Sequence, residues 1–385
     1  MYLFITRKSS HYRYYQKLLT YFASDAQLLT IKGLVLPRFE YWPDLQKLDV
    51  NDLVDVHIQR KQARHPLLQK FAWIRSLATS YYRYREQVRA TYYFAYFTKH
   101  QPQKIVLWNG MKQPNKTPVE VARALNIPVF LFENGLLPNT TVLDPKGVNA
   151  LNSLPRERTF YEKLPTPDVM FKPRLQQREF HKFKKLSKQS SVLPKHFIFV
   201  PFQVANDTQV ICHSPFIHSM EHLYEVLTDA LRQLHQSGYS DIHLVMKEHP
   251  SWPKSYKALY DAHPNIIFAN NETSQSLIEQ SLGVITINST VGIEAIMLGK
   301  PVITLGDACY NIDGIVHHCP NQESLNHAIV EFWQENPNQP LRDKFLYYLA
   351  KHYLLPGKWS DVDDTSIEHF EAVQRRLLSS PDISL

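Results

Sequence analysis

Cysteine is scarce in this chain of 385 residues: there are three, Cys212, Cys309 and Cys319, an odd number with no CxxC spacing. That argues against a disulfide framework and against a cysteine zinc site. His317-His318-Cys319 could begin a metal site, but no second half for it is present. Long apolar runs are missing too. Runs such as 105–108 and 128–132 are strand-sized, far short of the roughly eighteen residues of a membrane span. The N-terminus places a short apolar run before its basic residues, the reverse of a secretory signal, so a cytoplasmic protein is expected. No GxGxxG or GxxxxGK[ST] occurs at the strand ends discussed below, which disfavours a dinucleotide site or a P-loop. No internal repeat or low-complexity tract is visible.

What is present is enough for two buried cores: 44% of the residues are hydrophobic, and the length suits two domains. Net charge is +7 and unevenly placed. Tyr81-Tyr82-Arg83-Tyr84-Arg85 with Tyr92-Tyr93-Phe94, and the group Arg7, Lys8, His11, Arg13 and Lys17, are basic and aromatic. Such blocks can hold an anionic membrane surface, or can be helices with an aromatic core face and a solvated basic face. No nucleic-acid module is recognisable.

Strands alternate with helices along most of the chain, the pattern of parallel sheets covered on both faces. In the first half, strands are expected at 2–6, 28–36, 104–108 and 127–132, with helices at 12–22, 67–99 and 119–125. The basic, polar stretch 174–195 reads as a helix plus linker and as the domain boundary. In the second half, strands are expected at 196–204, 242–246, 265–269, 284–287 and 301–305. Met220, Leu223, Val226, Leu227, Ala230, Leu231 and Leu234 repeat with helical spacing. Further helices are expected at 273–281 and from Ser289 to Gly299. The reading is thus α/β, with domains at 1–190 and 191–360. A C-terminal helix within 361–385, capped by Thr365, is expected to return to the first domain.

In open parallel sheets ligands sit at the carboxyl ends of the strands. Glu133-Asn134-Gly135, Gln203 to Asp207, Lys247-Glu248-His249-Pro250 and Asn288-Ser289-Thr290 all follow expected strands. Ser289 or Thr290 would cap a helix whose free N–H groups make an anion site, or would be an ordinary cap. Glu294, on the first turns of that helix, could reach a ribose hydroxyl. His249 can donate to a phosphate oxygen, and Pro250 fixes the chain leaving the strand. Together these residues suggest a nucleotide monophosphate or diphosphate site.

Four segments in this order, ENGLLPNTTVLDPKGVNALNSLPR, VPFQVANDTQV, KEHP and NSTVGIEAIMLGKPVI, resemble those of the capsule polysaccharide biosynthesis proteins. Within that group they are most similar to the retaining β-Kdo glycosyltransferases, which share a sialyltransferase-like GT-B fold. The resemblance runs from about residue 100 to 310 and implies two Rossmann-like domains facing across a cleft. The first would bind the acceptor and the second the CMP-sugar. It implies the donor CMP-β-Kdo, with His249, Pro250, Ser289 and Thr290 at the phosphate, Glu294 near the cytidine ribose, and Lys247 and Asn288 beside them. No cofactor or divalent metal is implied, and no DxD pair stands in a suitable strand-end context.

Following the resemblance, Asp207 is assigned as nucleophile and Glu133 as general acid/base, with His249 assisting. The alternative for Asp207 is an Asx-turn in Asn206-Asp207-Thr208. The polar segment 133–156 would form one wall of the site. Asn134, Gly135, Asn149, Ser153, Arg156 and Gln203 would be its substrate contacts, with Arg156 offering a planar fork to the sugar carboxylate. Asn149 could equally stabilise a turn after Gly147. The expected acceptor is a saccharide or lipid-linked molecule, with peripheral contact to an inner-membrane surface and no nucleic-acid partner. Two other readings stand beside this one: a transferase for another CMP-linked acidic sugar such as sialic acid, and a non-catalytic capsule assembly or export component.

Overall fold

The computed structural model describes residues 1–22, 25–31, 33–167, 192–363 and 365–379. Most of the expected linker, 174–195, lies outside them. The chain divides into two compact units, Met1–Ser153 with His352–Leu385, and Leu154–Lys351. The divisions therefore fall near 153 and 351, where the sequence reading placed them near 190 and 360.

The first unit contains β1 (Tyr2–Thr6), α1 (Ser9–Leu19), β2 (Ala26–Thr30), α2 (Val50–Gln62), α3 (Pro66–Lys70), α4 (Ala72–His100), β3 (Lys104–Trp108), α5 (Lys116–Ala124), β4 (Val129–Asn134) and β5 (Thr140–Asp144). The second contains α6 (Arg158–Glu162), β6 (Phe197–Pro201), α7 (Thr208–His213), α8 (Met220–Gln236), β7 (His243–Lys247), β8 (Ile266–Phe268), α9 (Ser274–Gln280), β9 (Gly283–Thr286), α10 (Val291–Met297), β10 (Val302–Thr304), β11 (His317–His318), α11 (Gln322–Glu331) and α12 (Gln339–Tyr348). The chain then completes the first unit with β12 (Leu355–Pro356) and α13 (Ile367–Leu378).

The first sheet has the order β12-β5-β4-β3-β1-β2. Its β2, β1, β3 and β4 are parallel, and β5 and β12 add an antiparallel edge. Side chains alternate across it with the strand period of two. Leu3, Ile5, Ile105 and Leu107 pack with Tyr93, Phe94 and Phe97 of α4. Phe4, Val106 and Leu143 pack on the other face with Tyr15, Leu18 and α13. Phe370, Val373 and Leu377 of α13 are buried there, each contributing roughly 1.5–3 kcal/mol by burial. Lys104 donates to the carbonyls of Leu377 and Ser379 at the end of α13, where a cation meets the negative end of the helix dipole. At the start of that helix the Asp363 carboxylate takes bonds from Thr365 and Ser366, in place of the expected Thr365 cap.

The second sheet, β11-β10-β9-β6-β7-β8, is parallel throughout. All seven apolar positions of α8 named above are buried, in one cluster with β6, β7 and α11. Ser219 caps α8 by accepting the His222 amide at 3.0 Å. The chain steps outward from β6 through β7 to β8, and then from β9 through β10 to β11 in the opposite direction. The carboxyl ends of β6 and β9 are thus a topological switch point, where an open parallel sheet leaves a crevice for a ligand. The first sheet has the same feature between β1 and β3.

Candidate functional site

At the switch point of the second unit, the chain ends are held by side-chain amides. Gln203, two residues beyond β6, donates from Nε2 to Asn288 Oδ1 at 2.9 Å, and its Oε1 accepts the Asn288 amide at 3.1 Å. Asn288 Nδ2 donates in turn to the carbonyls of Gln209 and His213, both at 2.9 Å. Gln203 and Asn288 are 7% and 2% exposed. These two residues, expected at the ligand, form a buried clasp that sets the spacing of the β6 and β9 ends.

Asp207 lies just beyond this clasp as the N-cap of α7. Its Oδ1 accepts the Gln209 amide at 3.1 Å and the Thr208 hydroxyl at 3.3 Å. Oδ2 has no partner among the described residues. The Asx-type arrangement weighed above is therefore real, and it leaves one carboxylate oxygen for other chemistry.

After β9, Ser289 Oγ accepts the Val291 amide at 3.2 Å, so Ser289 supplies the side-chain cap; Thr290, the residue preceding α10, makes no side-chain cap bond. The Ser289 amide donates to Thr286 Oγ1 at 3.3 Å and the Gly292 amide to the Ser289 carbonyl at 3.0 Å. Three of the donors expected to meet an anion thus already have acceptors. The two longest of these bonds are ones a phosphate oxygen can replace. Tyr310, which the sequence did not single out, donates its hydroxyl to the Ser289 carbonyl. A Cβ on Gly292 would lie 2.2 Å from that hydroxyl, so only glycine permits the contact. Glu294 follows in α10 and is half-buried.

The KEHP segment after β7 divides in two. Lys247 turns inward and donates to the carbonyls of Asn270 at 3.0 Å and Glu272 at 2.5 Å. Glu248, 3% exposed, accepts at Oε1 from the Tyr256 amide and the Tyr260 hydroxyl, both at 2.8 Å, and from Ser255 Oγ at 3.2 Å. Lys247 is therefore a fastener of the loop after β8, because a buried ammonium must take the acceptors nearest it. His249 and Pro250 are half-buried. His249 Nδ1 accepts the Ser251 amide at 3.1 Å, which places the proton of the neutral ring on Nε2.

In the first unit, Glu133 and Asn134 close β4. Glu133 Oε2 accepts from Asn109 Nδ2 at 2.5 Å, and Oε1 accepts the Asn134 amide at 2.9 Å. Asn109 follows β3 in the left-handed region, φ 66°, which asparagine tolerates better than most residues. Asn134 Oδ1 accepts from Trp359 Nε1 at 2.9 Å. Trp359 packs on Trp108 at 4.6 Å between ring centroids, and Trp108 stacks on His11 at 4.3 Å. Burial, with Lys8 nearby, lowers the His11 pKa to about 4. The side chains of His11, Trp108, Asn109, Glu133 and Trp359 form one cluster around the β1/β3 switch point, and only Glu133 was expected there.

The polar segment 133–156 is for the most part a folded element of the first unit. Gly135 makes the hairpin: a Cβ there would lie 1.9 Å from Thr140 Oγ1. Strand β5 follows, buried from Thr141 to Asp144. Asp144 then gathers the next loop, accepting the amides of Lys146, Gly147 and Ser153, the Ser153 hydroxyl at 2.7 Å and the Tyr353 hydroxyl at 2.9 Å. Ser153, expected as a sugar contact, is thereby an anchor of this loop. Asn149 opens a short 3-10 turn at φ 57°, the turn role weighed for it above. Arg156 belongs to the second unit, where it donates from Nη1 to the Leu154 carbonyl.

Among the described residues, no group of three or more His, Cys, Asp or Glu side chains is placed to hold a metal ion. His317 pairs with Glu335 at 3.0 Å, and burial raises the Cys319 thiol pKa to about 11. No helix among the described residues is long and apolar enough to cross a membrane.

Comparison with known proteins places these observations in a family. Residues 169–359 match the family model described as capsule polysaccharide biosynthesis protein. Protein FixF of Sinorhizobium fredii is 33% identical over 331 residues, covering 82% of this chain and 76% of FixF. The capsule polysaccharide export protein KpsS of Escherichia coli is 29% identical over 290 residues, 59% of this chain and 72% of KpsS. Among solved structures, the β-Kdo 2,7 transferase of Thermosulfurimonas dismutans KpsC aligns over 97% of this chain and 100% of its own, with 13% identity and a TM-score of 0.46. Its β-Kdo 2,4 transferase covers 71% and 87%, with 17% identity and the same TM-score. The chain belongs to the capsule polysaccharide biosynthesis protein family.

Proposed function

We propose that this chain is a retaining glycosyltransferase that moves β-Kdo from CMP-β-Kdo to a saccharide or glycolipid acceptor. The observation that carries the reading is the β6/β9 switch point. There a carboxylate with one uncommitted oxygen, Asp207, stands on a buried Gln203–Asn288 clasp beside the Ser289-Thr290 turn. Family membership and the order of the four motifs support the sugar class.

In this reading the CMP phosphate lies against Ser289, Thr290 and the Nε2–H of His249, and Glu294 takes a ribose hydroxyl. Asp207 Oδ2 attacks the anomeric carbon, the bond from that carbon to the phosphate oxygen breaks, and CMP leaves with the electron pair. An acceptor hydroxyl then displaces the aspartyl ester, giving its proton to a base, for which Glu133 is proposed. Two inversions at one carbon retain its configuration. The phosphate is neutralised by hydrogen-bond donors, so the chemistry as written needs no divalent cation.

Asparagine caps a helix as well as aspartate does. Asp207→Asn should therefore keep the fold and abolish transfer from CMP-Kdo, measured by product chromatography. Near-normal transfer by that variant would show that the nucleophile lies elsewhere.

A further inference from the structure

Helix α4 behaves as two different helices end to end. Its second half buries Val88, Ala90, Tyr93, Phe94 and Phe97 under the first sheet. Its first half carries Trp73, Leu77, Tyr81 and Tyr84, each more than half exposed. At 100° per residue these four fall within an arc of about 80°, so they form one stripe. Leu67 on the preceding α3 is equally exposed. At the other end, Tyr84 is near Trp42, which packs on the exposed Phe39. The patch is continuous, apolar and rich in Trp and Tyr, and helix α4 holds it rigid because its other half is anchored in the core.

The chain from residue 60 to 85 has charge of one sign, while exposed Glu40 stands at the Phe39–Trp42 end of the patch. From residue 60 to 85 the chain carries Arg60, Lys61, Arg64, Lys70, Arg75, Arg83 and Arg85 and not one Asp or Glu. Glu86, the next acidic residue, is fully buried and paired with Arg89 at 2.6 Å and with Arg85 at 3.1 Å. We propose that this face of α3 and α4 docks on an anionic lipid surface, with Trp73, Leu77 and Tyr81 entering the headgroup layer and the basic side chains of residues 60–70 meeting lipid phosphates. Trp and Tyr favour that layer, and basic residues concentrate at anionic leaflets. A second copy of the chain would bring like charges together. A nucleic acid would satisfy the charge but give Leu67 and Leu77 nothing to bury against.

The proposal does not depend on the donor chemistry, so its test uses no nucleotide. The full chain is mixed with vesicles of phosphatidylcholine alone or with about one-third phosphatidylglycerol, and the floated fraction is measured at low and high salt. Flotation with the anionic vesicles only, weakening as salt rises, is expected. The surface variant Trp73→Ser/Leu77→Ser/Tyr81→Ser should melt like the parent and partition about tenfold or more less. Three results would overturn the proposal: no flotation with anionic vesicles at low salt, equal flotation with neutral ones, or equal flotation by the variant. A parent dimer in sedimentation velocity that the same variant dissolves would assign the face to self-association instead.

Discussion

Asn109 holds Glu133: its Nδ2 donates to the Glu133 carboxylate at 2.5 Å, while its Oδ1 is fixed by the Met111 amide at 3.2 Å. The second bond sets which way the amide points, so Glu133 always meets a donor there. With Glu133 as the acid/base group, Asn109→Ala frees that carboxylate to turn. A loss of roughly tenfold in kcat with little change in the donor KM is expected, a part of the roughly 10²–10⁴-fold that acid–base catalysis supplies. Steady-state kinetics with varied donor checks it, and a change confined to KM would count against the positioning role.

The Gln203–Asn288 clasp has a stability consequence. Asn288→Ala removes every side-chain bond of a residue that is 2% exposed, and leaves Gln203 Nε2 and the carbonyls of Gln209 and His213 short of partners. A cost of about 2–4 kcal/mol is expected from unsatisfied buried groups. Urea unfolding measures it. A loss under about 0.5 kcal/mol would place Asn288 back among residues kept for ligand contact alone.

Ser153 was expected at the sugar and is found on Asp144. Ser153→Ala keeps the backbone bond and loses the hydroxyl one, so stability should fall by about 1 kcal/mol and transfer kinetics should stay within about twofold of the parent at 25 °C. A large kinetic change with unaltered unfolding would restore the substrate role.

His11 gives the first unit a pH dependence. Its folded pKa is lowered from 6.5 to about 4, by burial first and by Lys8 second. In the unfolded chain it gains a proton as pH falls through 6.5; in the folded chain it stays neutral until about 4. The stability it lends above pH 6.5 is thus lost between 6.5 and 4, with a ceiling of roughly 3 kcal/mol at about 1.4 kcal/mol per unit. His11→Gln should flatten unfolding free energy across that window relative to the parent. Parallel profiles for the two proteins would contradict it.

The second unit was largely legible because parallel strands buried on both faces read as short apolar runs, and α8 repeats its apolar residues at helical spacing. The strand-end placement of the candidate residues was legible, and their partners were less so. Nothing in the letters KEHP says that Lys247 and Glu248 turn inward, because orientation is decided by the acceptors waiting on Asn270 and Glu272 and by the Tyr256 and Tyr260 donors. Strand β5 was missed for a related reason: its residues sit among Asn, Asp and Ser, whose polarity is spent inside the fold on Asp144. The β-branched pair Thr140-Thr141 after Asn134-Gly135 was the available hairpin signal. His11 and Trp359 join the Glu133 cluster from opposite ends of the chain, a proximity that only the fold creates.

The central claim is a covalent Kdo–Asp207 intermediate. Its most direct test is the intact mass of the protein after mixing with freshly generated CMP-Kdo and no acceptor. The account predicts a mass increase of one Kdo unit in the parent and none in Asp207→Asn. CMP bound with no adduct in either protein, or an adduct that persists in Asp207→Asn, would contradict it.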